Sequence, residues 1–519
     1  MANYSKDIFK QLEEQTIKCE KLEKENRRLK AEVSELKNKL SKFEEDMNRR
    51  ISEAIEKAII PFKEEIASKD NELSKANKEI NRLKATINKN SGNSSKPPST
   101  NGLKNIPNSR EKTGNPPGGK KGHKGHRLKK PKNLDELVEK GLAEVRVLDH
   151  TDGAIDYVSR WVADIEVKVI FTEHRFPKGS KLSKEYENEM IYGNNIKAIS
   201  TLLSVEGIIS RGRLAEFFSQ ITNGVLNPTE ATLGEFVNKM AEGLDREIDI
   251  IENDLLNSEV MNVDETPMKC SQRVEYDEET KEPVVKTAEG STYSVTVRNH
   301  SNESTTLYTV NSKKDMEGIE RDGILPNFYG TLSHDHDKKF YNYGSNNGTC
   351  GAHLVRELKG LYELYNSSWA DDMRHFMLQL NDHKNHDLLQ GQAQCNPDTL
   401  KLYDGLYDNL IQGGEDEINK VKAEEFGKKE VSKMLKRLKI YKENYLLFFK
   451  DYKVPFTNNL SERDLRPNKT KQKVSGCFRS WKGIKTFTKN RSFISTVKKR
   501  GLNVLDSIKN IFEGTPVLN

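Results

Sequence analysis

Asp264, Asp335 and Glu462 are the acidic residues best set for metal-dependent chemistry, because each stands where a regular element meets a turn. Asp264 closes the strand-like run EVMNVD against a Pro turn, and Asp335 follows the short apolar run around TLSH. Glu462 falls in the first turn of a helix opened by NNLSERD. Carboxylates drawn from separate elements can hold Mg2+, which takes oxygen ligands and keeps several waters. Two such ions, about 4 Å apart, activate a nucleophile and stabilise a leaving oxygen on either side of a phosphodiester. Each acid also has an ordinary reading. Asp264 can open a turn, Asp335 can be a surface-loop acid, and Asn459-x-x-Glu462 fits a capping box.

Basic tracts flank this acidic set. From Arg463 to Arg500 there are thirteen Lys or Arg against one acid, Asp464. Phe478, Trp481, Phe487 and Phe493 are interleaved with them, the pattern of a surface that binds phosphates and stacks bases. Between Lys104 and Lys132 there are ten Lys or Arg against Glu111 alone, in the Gly-loosened PPGGKKGHKGHRLKKPK. That segment can follow a phosphate backbone, or it can be a solvated tether. Cys350 and His353 could hold a metal, but no second pair lies near them in sequence, so packing or a DNA contact is the expected role. Trp369 is read as a core residue rather than a stacking platform.

The elements that must position these residues follow in order. Residues 1–90 carry apolar residues at Ile8, Leu12, Cys19, Leu22, Leu29, Val33, Leu36, Leu40, Phe43 and Met47, on alternating three- and four-residue steps. That is a left-handed coiled-coil seam, with Asn26 as a register-setting polar position. Pro61 should break it into two helices. The seam suits a parallel homodimer, or a charged helical hairpin within one chain. Residues 91–133 form a Ser-, Pro- and Gly-rich basic linker that cannot bury a core. Residues 134–190 hold strand-like pieces (AEVRVLD, DIEVKVIFTEHRF), and 191–255 are helical. The latter permit a DNA-reading helix-turn-helix or an ordinary bundle, of which the bundle is favoured. Residues 256–362 alternate strands and helices, 363–452 are a helical insertion, and 453–519 return to the core with the basic C-terminal tract.

The bulk numbers bound the class. At 519 residues the chain exceeds one ordinary core. With 34% hydrophobic and 32% charged residues and a net charge of +6, it suits a protein with much exposed helix. Five unpaired-looking cysteines argue for a reducing compartment. No apolar run approaches the ~20 residues needed to span a bilayer, so no membrane partner is expected and the location expected is cytoplasmic, with the nucleoid.

At these residues the chain resembles the insertion-sequence-66 transposase family. The matching pieces are Asn93-Ser-Ser-Lys-Pro-Pro-Ser99, Gly118 to His126 (GGKKGHKGH), Val263-Asp-Glu-Thr-Pro267, Cys350-x-x-His353-x-x-Arg356 and Asn458-Asn-x-x-Glu-Arg-x-x-Arg-Pro467. Singly they are unspecific; five in order are not. The resemblance implies an α/β ribonuclease H-like core with a helical insertion, behind an N-terminal coiled coil and a small helical DNA-binding region. It implies a bacterial Mg2+- (or Mn2+-) dependent DDE recombinase using two ions on Asp264, Asp335 and Glu462. The substrates would be double-stranded element ends and target DNA, cut by hydrolysis and joined by 3′-hydroxyl attack, with small element-encoded accessory proteins as partners.

The resemblance also implies DNA contacts at Arg463, Arg466, Lys469, Lys471, Lys473, Lys120, Lys121, Lys124 and Arg127, with His353, Arg356 and Asn459 in support. Lys469, seven after Glu462, lies two turns on along the same helix face and could hold a scissile phosphate, although Pro467 should kink or end that helix. Three departures stand out. Residues 127–190 lack the Cys-x-x-Cys pairs of similar proteins, so no zinc is expected at that degenerate zinc-ribbon position. His334-Asp-His-Asp337 replaces the usual Asp-Gly-Tyr-like segment, which leaves Asp337 as a rival to Asp335. KQKVSGCF replaces an Arg-Lys-Asn-Trp stretch, so DNA contacts there have room to differ. The alternative reading is a catalytically inactive or repurposed DNA-binding coiled-coil protein; a third is a nuclease without strand transfer.

Overall fold

The computed structural model describes the chain except for residues 1, 95–128, 151, 153–154, 157, 182–185, 278, 281, 288–290 and 421–426. Its contacts divide into two units, Met1–Asn88 and Lys89–Asn519. The first is a single helix, α1 (Ala2–Asn88), of 87 residues. At 1.5 Å per residue it is about 130 Å long. Pro61 lies inside it, so the expected break, and with it the intrachain hairpin, does not form. Proline removes one hydrogen bond, and the strong helix formers on both sides, EAIEKAII and FKEEIASK, carry the helix through. The seam residues Ile8, Leu12, Leu22, Leu29, Val33, Leu36, Leu40, Phe43 and Met47 are all exposed, while Glu23–Arg27 and Glu35–Lys39 pair one turn apart.

The second unit opens with α2 (Leu134–Glu139) and, among the described residues, no strand before residue 260. The strand-like pieces expected at 143–176 thus form no strand. Their alternate apolar residues have no layer to cover them: Val147, Val162 and Ile165 are each more than four-fifths exposed. Four helices follow, α3 (Asn194–Val205), α4 (Arg211–Ile221), α5 (Glu230–Glu242) and α6 (Asp245–Leu256). Thr229 caps α5 by accepting from the Thr232 amide. Leu214 and Phe218 of α4 pack with Leu233 and Phe236 of α5 in a small core of their own.

The main sheet contains β1 (Val260–Cys270), with β2 (Gln272–Tyr276) and β3 (Pro283–Thr287) forming a separate hairpin after it. The chain then runs through β4 (Tyr293–Ser301), β5 (Thr306–Asn311), α7 (Met316–Asp322), β6 (Thr331–His334) and β7 (Asn346–Thr349). Spatial order is β5-β4-β1-β6-β7. β4 is antiparallel to β1 and to β5, whereas β6 is parallel to β1 and to β7. Five helices follow: α8 (Gly351–Tyr365), α9 (Ser368–Leu389), α10 (Pro397–Lys420), α11 (Lys428–Ile440) and α12 (Lys442–Lys450). These helices share a core of Leu354, Trp369, Met373, Tyr407, Leu438 and Phe449, among others, so Trp369 is a packing residue.

The chain returns through α13 (Asn459–Ser475), α14 (Trp481–Lys499) and α15 (Val504–Phe512). α14 reverses one expectation. Phe478, Trp481, Phe487 and Phe493 are buried in the sheet's core with Met261, Val263 and Leu332, and present no stacking surface. Several cations of the tract are neutralised by acids far away in sequence. Arg491 and Lys498 pair with Glu206, Lys489 with Asp245, Arg500 with Asp254 and Lys499 with Asp464.

Candidate active site

β1 lies at the centre of the sheet, and strand alternation sends consecutive side chains to opposite faces. Asp264 and Glu265 therefore part company. Glu265 is buried against Arg298 (2.8 Å), its partner across β4, and Lys339 also reaches it. Arg298, itself buried, pairs in addition with Asp322. Asp264 turns to the other face, with its Oδ1 accepting from the Glu265 amide at 2.7 Å.

The first turn of α13 is fastened to that face on both sides of Asp264. Asn458 donates to the Val263 carbonyl (2.8 Å) and accepts from Asn262 (2.9 Å). Ser461 donates to Asn299 Oδ1 (2.8 Å), and Asn299 donates back to the Ser461 carbonyl (3.1 Å). Asn262, Asn299, Asn458 and Ser461 are all buried. The helix starts one residue earlier than a capping box on Asn459 requires: Asn458 holds the cap position, makes no side-chain cap bond, and leaves Glu462 free of that task. Asn459, expected in support, is exposed, and its neighbour Asn458 occupies the inward position.

Asp335 follows β6, and His334 behind it is held by Asn347 (3.1 Å) and the Asp335 carbonyl. The Cys350 amide donates to the His334 carbonyl (2.9 Å), which sets the start of α8 beside Asp335. Gly351 is required there, because a Cβ would lie 2.2 Å from the Phe456 ring. One turn into α8, His353 Nδ1 approaches Asp335 Oδ1 to 3.1 Å and Glu462 Oε1 to 3.7 Å. Arg356, a turn further, lies 3.8 Å from Glu462 Oε1. Asp337 is engaged elsewhere, with Lys339 (3.1 Å) and Lys314 (3.7 Å).

Like charges crowd the site, with His353 and Arg356 beside Asp335 and Glu462. Burial, and then the Asp335 charge, push Asp264 up to about 7 against the pull of Lys469. Burial lowers His353, but the adjoining Asp335 carboxylate outweighs it and raises the imidazole to about 10. Asp335 Oδ1, His353 Nδ1 and Glu462 Oε1 are nonetheless each buried without an aligned hydrogen-bond partner, so their approach is an ionic contact only. Together with Cys350 Sγ they lie within 4.8 Å of one another. Buried polar atoms are rarely left in that state, and a divalent ion fits the oxygens of this set. Cys350 Sγ accepts from the Asn458 amide (3.2 Å).

Asp264, Asp335, Glu462, His353 and Arg356 are thus brought together. Sequence distance hid what joins Cys350 and His353 to the acids, since the neighbours missing in sequence come from β6 and α13. Pro467 does not end α13, so Lys469 stays on the helix. Arg463, Arg466, Lys469 and Lys473 are exposed on it, and Lys471 is half-buried, with a proton affinity lowered by burial and the Arg211 charge. Lys120, Lys121, Lys124 and Arg127 lie outside the described residues.

Residues 203–486, which include every residue of this cluster, match the family model described as Transposase IS66 family. The chain belongs to that family. Residues 53–129 match a family of unknown function. No curated protein matches the chain. Among solved structures, this IS66-family chain is similar to one in the crystal structure of the Mos1 strand transfer complex, at 11% identity over 51% of this chain and 79% of that one. The TM-score of 0.09 is too low to carry an argument. No helix among the described residues is long and apolar enough to cross a membrane.

Proposed function

We propose that this IS66-family chain is a DDE-type transposase that cleaves the ends of its element and joins them to target DNA, with Asp264, Asp335 and Glu462 holding divalent ions. The observation that carries the reading is the convergence of Asp335, after β6, and Glu462, on α13, with one carboxylate oxygen of each buried without a hydrogen bond, beside Asp264 on β1, which feels both charges. The strand order, with one antiparallel and one parallel flank to β1, supports a ribonuclease H-like core. Mg2+ or Mn2+, when bound, supplies the Lewis acidity that activates the attacking oxygen and stabilises the leaving one.

The chain's own residues do the rest. Asn458 and Ser461 hold α13 in register with β1, so that Glu462 and Asp264 face the same phosphodiester. Arg356 and His353 balance the carboxylates before DNA and metal arrive. Lys469, whose charge acts on Asp264, takes the scissile phosphate. Arg463, Arg466, Lys471 and Lys473 receive the flanking backbone, and the segment with Lys120, Lys121, Lys124 and Arg127 follows the duplex further out. A second copy covers the exposed seam of α1, giving a homodimer that brings two ends together.

Nicking of element-end DNA tests the reading. Wild-type protein cuts with Mg2+ or Mn2+, whereas Asp264→Asn and Glu462→Gln bind the DNA and leave it whole. Full cutting by either variant overturns it, and salt-sensitive binding with no wild-type cutting would favour a DNA-binding scaffold. Strand transfer from pre-cleaved ends separates a transposase from a plain nuclease.

A further inference from the structure

A second group of metal-ligating side chains lies in the helical arm, apart from the carboxylates. His383 and Asp387 are one turn apart on α9, and Cys395 stands in the loop between α9 and α10. One donor atom from each lies within 4.8 Å of the others. His383 Nε2 is 3.5 Å from Asp387 Oδ2. Two ligands of a tetrahedral zinc, with bonds of about 2.0–2.1 Å, must stand roughly 3.3 Å apart, so this pair is spaced for one ion.

The surroundings are built to hold these donors still. Asp387 and Cys395 are buried, and the His383 ring is set between the edges of Tyr403 and Phe449, with centroids 5.5 and 5.7 Å away. The Tyr452 hydroxyl donates to Asp387 Oδ2 at 2.5 Å, the kind of outer hydrogen bond that orients a ligating carboxylate. Thiol, imidazole and carboxylate on one centre form a mixed N, O and S set, which suits Zn2+ and not Mg2+. The His383 side chain is 34% exposed, leaving an access route for the ion and room for a water in the fourth position.

We propose that His383, Asp387 and Cys395 form a zinc site that ties the end of α9 to the loop leading into α10, beside the segment returning toward Glu462. Tyr452 opens that segment. The neighbouring Lys384 reinforces the tie by donating to the Val454 carbonyl at 2.5 Å, eight residues before Glu462. Zinc joins the C-terminal turn of α9 to the start of α10 beside this anchor, and binding releases the Cys395 thiol proton.

Cobalt substitution in the full chain tests the site. After chelator treatment and dialysis, Co2+ added to wild-type protein gives thiolate-to-cobalt charge-transfer absorption and the strong visible bands of a tetrahedral centre, and Zn2+ bleaches both. The bands disappear in Cys395→Ser and weaken in His383→Gln, a change at a partly exposed side chain. They persist in Cys350→Ser, which removes the only thiol of the other cluster. Zn2+ also raises the melting temperature of wild-type protein and not of Cys395→Ser. Absence of the bands in wild type, their persistence in Cys395→Ser or their loss in Cys350→Ser overturns the proposal.

Discussion

Asp264 and Glu265 are consecutive acids on one strand, and the two faces of the sheet treat them in opposite ways. Glu265 is sealed in with Arg298 and Lys339, its charge neutralised by the fold itself. Asp264 faces Asp335 and Glu462, whose nearest cations are His353 and Arg356, and burial with the Asp335 charge lifts Asp264 to about 7 against the pull of Lys469. The fold pairs the carboxylate closely on one face, whereas on the other it sets buried acids close enough to repel one another. The same contrast separates α14, several of whose cations are already paired, from α13, whose Arg463, Arg466, Lys469 and Lys473 stand exposed.

The contrast can be broken by substitution. The largest stability loss is expected from Glu265→Gln, which takes one carboxylate from Arg298 and Lys339 and leaves them Asp322 and Asp337 alone. Removing one partner of a buried pair costs about 3–5 kcal/mol, read as a fall in the urea midpoint. Asn458→Ala removes two buried hydrogen bonds and should cost about 1–3 kcal/mol, with cleavage falling further than stability because Glu462 loses its register. Asp264→Asn should do the reverse, raising the melting temperature in the presence of chelator while abolishing cleavage, since it removes like-charge repulsion. Lys469→Ala lies on an exposed face, so stability should stay within about 0.5 kcal/mol while cleavage of element ends falls. Smallest of all, Asp337→Asn should leave Mn2+ affinity unchanged, because its partners are Lys339 and Lys314.

Much of the site was legible locally. Asp264 and Glu462 stand out through their flanking motifs, and Asp335 through its place after a short strand. The fastening of α13 was not legible, because Asn262 and Asn458 are 196 residues apart and Asn299 and Ser461 are 162 apart. A buried Asn and a loop Asn look alike until their partners are known. The aromatics of the C-terminal tract misled for the same reason. Alternating cations and rings read as a nucleic-acid surface, yet the acids that neutralise α14 come from Glu206, Asp245 and Asp254. At 143–176 the alternation was real but had no sheet to join. Pro61 showed the converse, a local breaker overruled by good helix formers on both sides.

Mn2+ titration by calorimetry, on wild-type protein and on Asp264→Asn, Asp335→Asn, Glu462→Gln and Asp337→Asn, tests the central claim most directly. Wild type and Asp337→Asn should bind Mn2+ alike, and each of the other three should lose most of the affinity. Undiminished binding in Asp335→Asn or Glu462→Gln would contradict the metal assignment outright.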